Sequence, residues 1–248
     1  MTPEEFFSEH KRVALAFSGG VDSAYLLYAA VKSGCEVRAY YVRTAFQPEF
    51  EYEDACRLAK ELNADMATIS LDILADSEVT ANPKERCYYC KKRIFHSILK
   101  HAHADGFTVV CDGTNADDDI ADRPGWRALQ EMTVLSPLRI CGLTKDEIRK
   151  RSKEAGLFTH DKPAYACLAT RIPTGMHITG KLLARTEWAE GILMEMGFSD
   201  FRVRTLGDCA RIQIKKQQFP LIFKQWEAVQ QRLSERYDGV TLDMEFRA

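Results

Sequence analysis

The chain has 248 residues, of which 46% are apolar and 28% charged, the proportions of a globular protein long enough to bury a sizeable core. Its 34 basic and 36 acidic side chains leave a net charge of −2, so there is no global basic field of the kind that draws DNA or RNA. No run of about 18 apolar residues occurs, and no membrane span is expected. The opening stretch, Met1-Thr2-Pro3-Glu4-Glu5, is acidic and lacks the basic start and apolar core of a signal peptide. A cytoplasmic protein is therefore expected, and its eight cysteines point to metal, redox or catalytic use rather than to disulfides.

In chain order, the apolar run 13–17 reads as a buried strand and 24–30 as a helix, with Ser18-Gly19-Gly20-Val21-Asp22-Ser23 as the turn between them. A second strand is expected at 36–42 and a helix at 50–62, where Tyr52, Ala55, Cys56, Ala59 and Leu62 share one face. Strand 65–71, helix 94–104 and strand 107–111 continue the alternation. The fold class is therefore α/β, a doubly wound, mostly parallel sheet with its ligand at the carboxyl ends of the strands. Thr144, with Glu147 three residues on, caps a helix that runs to Glu154 and is ended by Gly156. An irregular stretch, 160–180, leads to a tail read as helix 182–196, strands 201–205 and 210–214, helix 219–235 and strand 240–246. The expected organisation is a first domain over 1–158, a linker over 159–180 and a small α+β domain over 181–248.

The strand–turn–helix at 13–30 is built for an anion. Gly19 and Gly20 let backbone N–H groups approach closely, and the helix turns its positive end to the same spot. Ser18 and Ser23 add hydroxyls, and Asp22 could hold a Mg²⁺ that neutralises phosphate. No Walker-type Gly-Lys-Ser/Thr is present; the loop resembles the SGGxDS loop of the PP-loop ATP pyrophosphatases, which cleave ATP between its α- and β-phosphates. At the end of strand 107–111, Asp112-Gly113-Thr114-Asn115-Ala116-Asp117-Asp118 suits ribose hydroxyls, a Mg²⁺ held by Asp117, or a plain turn. Arg123 could grip a phosphate bidentately.

Cys87-Tyr88-Tyr89-Cys90 offers two thiols to one centre, and Cys167 is the natural third. Three cysteines leave one position of a [4Fe–4S] cluster open. A zinc site completed by His160 or His177, and direct thiol chemistry at Cys167 near His160, Lys162 and Arg171, remain alternatives. Cys35, Cys56, Cys111, Cys141 and Cys209 lie in or beside apolar segments and read as core. In the tail, Arg202 and Arg204 alternate onto one exposed strand face, as a phosphate clamp or as a solvated edge strand, and Glu187 and Glu190 of the preceding helix are acid–base or surface groups.

The segments SGGVDS, NPKERCYYCKK, DGTNADD, DRPGWRAL, SPL with GLTKDEIR, ACLATRIPTG, and FRVR with ARI occur in this order between residues 11 and 215. Together they resemble the LarE family of PP-loop sulfur transferases, which act in making the nickel-pincer nucleotide cofactor of lactate racemase. The resemblance implies that ATP adenylates a carboxylate of a pyridinium dicarboxylate mononucleotide and that sulfur then displaces AMP. It casts Cys167 as the sulfur-bearing residue, either sacrificed to dehydroalanine or joined by Cys87 and Cys90 around a [4Fe–4S] cluster. It also assigns Arg202 and Arg204 to the substrate phosphate and Glu190 to an acidic site role. Arg211-Ile212-Gln213 departs from the Arg-Ile-Glu frequent in that family.

A small-molecule nucleotide substrate and a homo-oligomeric enzyme are expected, with no membrane or nucleic-acid partner. The competing readings are a tRNA thiolase, which needs a basic RNA surface, and an amide-forming ligase of the NAD or GMP synthetase kind, in which the cysteines are incidental.

Overall fold

The computed structural model describes residues 1–118 and 124–247, and the chain is built as two units. The first comprises Met1–Ile73 with Glu85–Lys162, the second Leu74–Lys84 with Pro163–Ala248. Helix α1 (Pro3–Glu9) opens on a reciprocal capping box: the Glu5 N–H donates to Thr2 Oγ1 at 3.2 Å and the Thr2 N–H to the Glu5 carboxylate at 2.7 Å. Then come β1 (Arg12–Ala16), α2 (Val21–Lys32), β2 (Glu36–Arg43), α3 (Glu49–Glu61) and β3 (Asp65–Ser70). The short α4 (Ser77–Thr80) belongs to the second unit. The first resumes with α5 (Arg86–Ala104), β4 (Val110–Cys111), α6 (Pro124–Glu131), α7 (Pro137–Ile140) and α8 (Lys145–Glu154).

The sheet of the first unit has the order β3-β2-β1-β4, and every pairing is parallel. Because strand side chains alternate between faces, Val13, Leu15, Ala39 and Tyr41 enter one core with α1, α2, α3 and α8. Their neighbours Ala14, Tyr40 and Val42 enter a second core with α5 and α6. Helices therefore cover both faces, which is the doubly wound architecture expected from the alternation.

The last strand of the chain ends at Leu242 rather than at 246, α1 has no counterpart in the sequence reading, and two further elements differ from theirs. Helix α5 starts at Arg86, eight residues before the expected Ile94. Its first two turns carry no apolar stripe and are instead supported by Tyr88 and Lys92, which both bond Glu131. Strand β4 is only Val110–Cys111, because the Phe107 N–H is spent closing α5 on the Ala102 carbonyl at 2.8 Å and Gly106 turns the chain at φ 81°.

In the second unit, α9 (Gly180–Glu195), β5 (Arg202–Leu206), β6 (Cys209–Gln213), α10 (Phe219–Leu233) and β7 (Gly239–Leu242) follow one another. β5 and β6 are antiparallel, and β7 returns beside β6 in parallel after α10. Val203, Ala210 and Ile212 pack with Ala189, Leu193, Val229 and Leu233 in one core. Among the described residues, no helix is long and apolar enough to cross a membrane.

Candidate functional site

The phosphate-type loop lies where β1 ends. Gly19 has φ 73°, and a Cβ there would come within 3.1 Å of Ala55 Cβ and 3.3 Å of the Glu51 carbonyl on α3. Both facts require glycine. Gly20 is the N-cap of α2 and brings no side chain in front of the helix start, so the positive end of α2 stays open to an anion. Ser23 is buried and ties the loop together: its hydroxyl donates to the Gly20 carbonyl at 3.2 Å, accepts from the Ser18 N–H at 3.3 Å and lies 3.1 Å from Ser18 Oγ.

The acidic–amide turn after β4 is fitted against this loop. A Cβ on Gly113 would stand 3.0 Å from the Ser23 nitrogen, so the turn abuts the first turn of α2. Buried Asp112 accepts the hydroxyls of Ser136 at 2.6 Å and Thr114 at 2.5 Å. Asn115 is also buried; its Oδ1 accepts the N–H groups of Asp117 and Asp118, and its Nδ2 donates to Asp22 Oδ1 at 3.3 Å. Asp22 Oδ2 accepts from Lys145 Nζ at 2.6 Å, and the Lys145 N–H donates to Asp117 Oδ2 at 2.6 Å. Ser18, Gly19, Gly20, Asp22, Ser23, Gly113, Thr114, Asn115 and Asp117 thus form one continuous site in the first unit. Arg123 lies outside the described residues.

Lys145 is the residue that sequence reasoning passed over here. Its signal is electrostatic: a lysine in the first turn of a helix, ahead of Asp146 and Glu147, opposes the helix dipole. The carboxylates it touches, Asp22 and Asp117, are hard oxygen donors of the kind that suits Mg²⁺, and the ammonium shows that a cation is accommodated against Asp22.

All eight cysteines are thiols. Cys35 and Cys111 are buried, as their apolar settings predict, whereas Cys56, Cys141 and Cys209 are only half-buried. Burial pushes the Cys35 thiol up to about 11 and also raises that of Cys111. Cys87 is exposed and Cys90 half-exposed, one turn apart at the start of α5, where two thiolates can serve one centre. Arg86 donates from Nη2 to Cys87 Sγ at 3.7 Å. Among the described residues, no group of three or more His, Cys, Asp or Glu side chains is gathered as a metal site.

In the second unit, the half-exposed Cys167 precedes a 3₁₀ turn, Leu168–Arg171. The Cys167 carbonyl accepts the Thr170 N–H at 2.9 Å and the Thr170 hydroxyl at 2.8 Å. Arg171 is buried and donates to the Ala166 carbonyl at 2.7 Å while clasping Glu190 with Nε and Nη2 at 2.8 and 3.0 Å. Glu190 also accepts the Val203 N–H at 2.8 Å and the Tyr165 hydroxyl. Arg202 donates to the Ala164 carbonyl at 2.6 Å and Arg204 to the Thr170 carbonyl at 3.1 Å. Glu190, Arg202 and Arg204, singled out from the tail, therefore all converge on the segment that carries Cys167.

The strand face expected to be open is not. Arg202 is buried, and burial together with Arg171 and Arg247 pushes its guanidinium down to about 10. Arg204 is lowered in the same way by burial, Arg171, Arg211 and Arg247. Cations crowded together in a part-buried setting are relieved by an anion, which suits the phosphate role expected of this pair. Lys162, by contrast, is engaged in the first unit by Asp54 at 2.7 Å and Glu51 at 3.6 Å. Tyr165, which meets Glu190 and lies under Arg171 and Arg202, carried no sequence signal.

Residues 11–108 match the family described as the tRNA methyl transferase HUP domain. The chain is 33% identical over 206 residues to the pyridinium-3,5-bisthiocarboxylic acid mononucleotide synthase of Lactiplantibacillus plantarum, covering 82% of this chain and 75% of that protein. It is 36% identical to an uncharacterised protein of Synechocystis sp., over 97% of this chain and 91% of the relative. A tRNA-specific 2-thiouridylase of Thermotoga maritima is 25% identical, over 61% of this chain and 54% of its own length.

Proposed function

The chain belongs to the LarE family of ATP-dependent PP-loop sulfur transferases, and from that membership we propose that its acceptor is a pyridinium dicarboxylate mononucleotide. As an ATP-dependent sulfurtransferase of cofactor biosynthesis it uses ATP with Mg²⁺, which the carboxylates of Asp22 and Asp117 would hold. In the first half-reaction an acceptor carboxylate oxygen attacks the α-phosphorus, and pyrophosphate leaves. The N–H groups at the start of α2, with Ser18 and Ser23, stabilise the charge that collects on the phosphates. In the second half-reaction a sulfur nucleophile adds to the acyl carbon and AMP is expelled, leaving a thiocarboxylate. The product belongs to the nickel-pincer nucleotide of lactate racemase.

The observation that carries this reading is the hold on the Cys167 segment. Its backbone is fixed at Ala164, Ala166, Cys167 and Thr170 by buried or half-buried donors, while Cys167 as a residue is only half-buried. A nucleophile is served by a fixed backbone and a reachable sulfur. Arg202 and Arg204 take the phosphate of the acceptor. Glu190, saturated by four donors, acts by holding Arg171 and Tyr165 in place.

The family resemblance implies two sulfur sources, and the described residues gather no three-ligand metal group for the second. Cys167 Sγ can itself add to the acyl carbon, after which its Cβ–Sγ bond breaks by elimination and leaves dehydroalanine. Alternatively, as the family resemblance implies, Cys87, Cys90 and Cys167 would be the soft thiolate ligands of a [4Fe–4S] cluster, which would supply sulfide to the acyl carbon. The cluster reading is favoured by the Cys87–Cys90 pair one helical turn apart. Cys167→Ala should abolish ATP-dependent thiolation in either case, and retained thiolation would sink the assignment. Anaerobic purification with iron and sulfide analysis separates the two: an iron-free chain that loses about 34 Da on one turnover, the mass of H₂S, is sacrificial.

A further inference from the structure

Lys145 engages both carboxylates that the ATP site offers to a divalent cation, its ammonium on Asp22 Oδ2 at 2.6 Å and its backbone N–H on Asp117 Oδ2 at 2.6 Å. We propose that Lys145 is a substrate-positioning residue of this site: its ammonium and the divalent cation alternate on Asp22, and the displaced ammonium moves onto the triphosphate. Three observations carry this. The pair is part-exposed, with side-chain accessibilities of 30% and 24%, so it is cheap to break. Lys145 is anchored through its own N–H while its side chain is a flexible stem with a rotating donor head, so the base stays still as the head moves. Asp22 is the second residue of α2, which places the ammonium beside the helix start that receives the phosphates.

The arrangement gives Asp22 a counter-charge that a monovalent group supplies and a divalent ion displaces. It also explains why a lysine stands where the dipole of α8 disfavours one. The inference rests on the nucleotide assignment of the loop and is independent of the acceptor and of the sulfur source.

The test uses the full chain and its Lys145→Met and Lys145→Arg variants. Two measurements are made: Mn²⁺ binding without nucleotide by electron paramagnetic resonance, and Mg-ATP binding by calorimetry. Lys145→Met should bind Mn²⁺ about tenfold more tightly and Mg-ATP roughly tenfold more weakly, the scale of one charge-assisted contact. Lys145→Arg should keep Mg-ATP affinity within about threefold of the wild type, since a cation of similar reach is retained. Lys145→Gln repeats the measurements should methionine disturb α8 in melting curves. Either affinity left at the wild-type value in the folded neutral variants overturns the role of Lys145. A wild-type chain that binds no Mg-ATP overturns the nucleotide assignment as well.

Discussion

Arg171 and Glu190 form a bidentate ion pair sealed from water, with side-chain exposures of 0% and 1% and N···O distances of 2.8 and 3.0 Å. They are 19 residues apart, one at the end of the Cys167 segment and the other in α9. The pair ties the position of the thiol to the folding of the second unit. Removing one member leaves a buried charge without its counter-charge, whereas replacing both with apolar groups removes the problem. Glu190→Ala should therefore cost about 3–5 kcal/mol in chemical denaturation. The double change Arg171→Met with Glu190→Met should recover much of that loss yet leave thiolation impaired. A double variant as unstable as the single one would contradict this account.

Gly113 and Gly19 are held by space rather than by chemistry. A Cβ on Gly113 meets the Ser23 backbone nitrogen at 3.0 Å, and neither side can yield without moving α2 or the turn. Gly113→Ala should cost about 1–3 kcal/mol of stability, the scale of overpacking. Because the turn is displaced from the loop, it should also weaken Mg-ATP binding, measured by calorimetry. At Gly19 the positive φ adds backbone strain to the contact with Ala55, so Gly19→Ala should be the worse of the two.

Thiol reactivity should sort by setting. At pH 8 in the metal-free chain, Cys87, exposed and beside Arg86, should alkylate first. Cys35, buried and pushed up to about 11, and Cys111, buried and raised, should stay unlabelled until the chain unfolds. Peptide mapping after a brief iodoacetamide pulse reads this directly, and early labelling of Cys111 would contradict its burial.

The acid limb of stability should depend on Asp200. Burial opposes its charge, yet Lys215 at 2.9 Å and Arg247 at 2.8 Å outweigh burial and hold its carboxyl below the ordinary value. A depressed native pKa means stability that is fully present above the unfolded carboxyl value, about pH 4, and lost as pH falls through the native value. Asp200→Asn should lower stability at neutral pH and flatten its decline below about pH 4. Asparagine tolerates the φ of 46° at this position, so the comparison isolates the charge. Parallel pH curves for the two proteins would show that Asp200 is not the group concerned.

Much of the first unit was legible because its signals are local. Strand β1, the Gly19-Gly20 turn and α2 are contiguous, and their apolar spacing and glycines act within a few residues of each other. The two polar turns of α5 were not legible, since Tyr88 and Lys92 bond Glu131, some forty residues further along. Helix α1 and the buried Phe6 and Phe7 were likewise passed over, because two aromatics in a short acidic segment show no period.

By itself the sequence determined the ATP-type loop and the parallel alternation. It also supplied the roster of Cys87, Cys90, Cys167, Arg202 and Arg204 from residue type and short-range spacing, while Glu190 was separated from Glu187 only by the family resemblance. Only the tertiary structure decided what those residues touch. It gave Leu74–Lys84 to the second unit, sealed Glu190 against Arg171, and aimed Arg202 and Arg204 at the carbonyls around Cys167. It also paired Asp22 with Lys145 across 123 residues. Periodicity and turn chemistry reach only a few residues along the chain, whereas the partner of a charge is set by which loops the sheet edge and the buried core bring together.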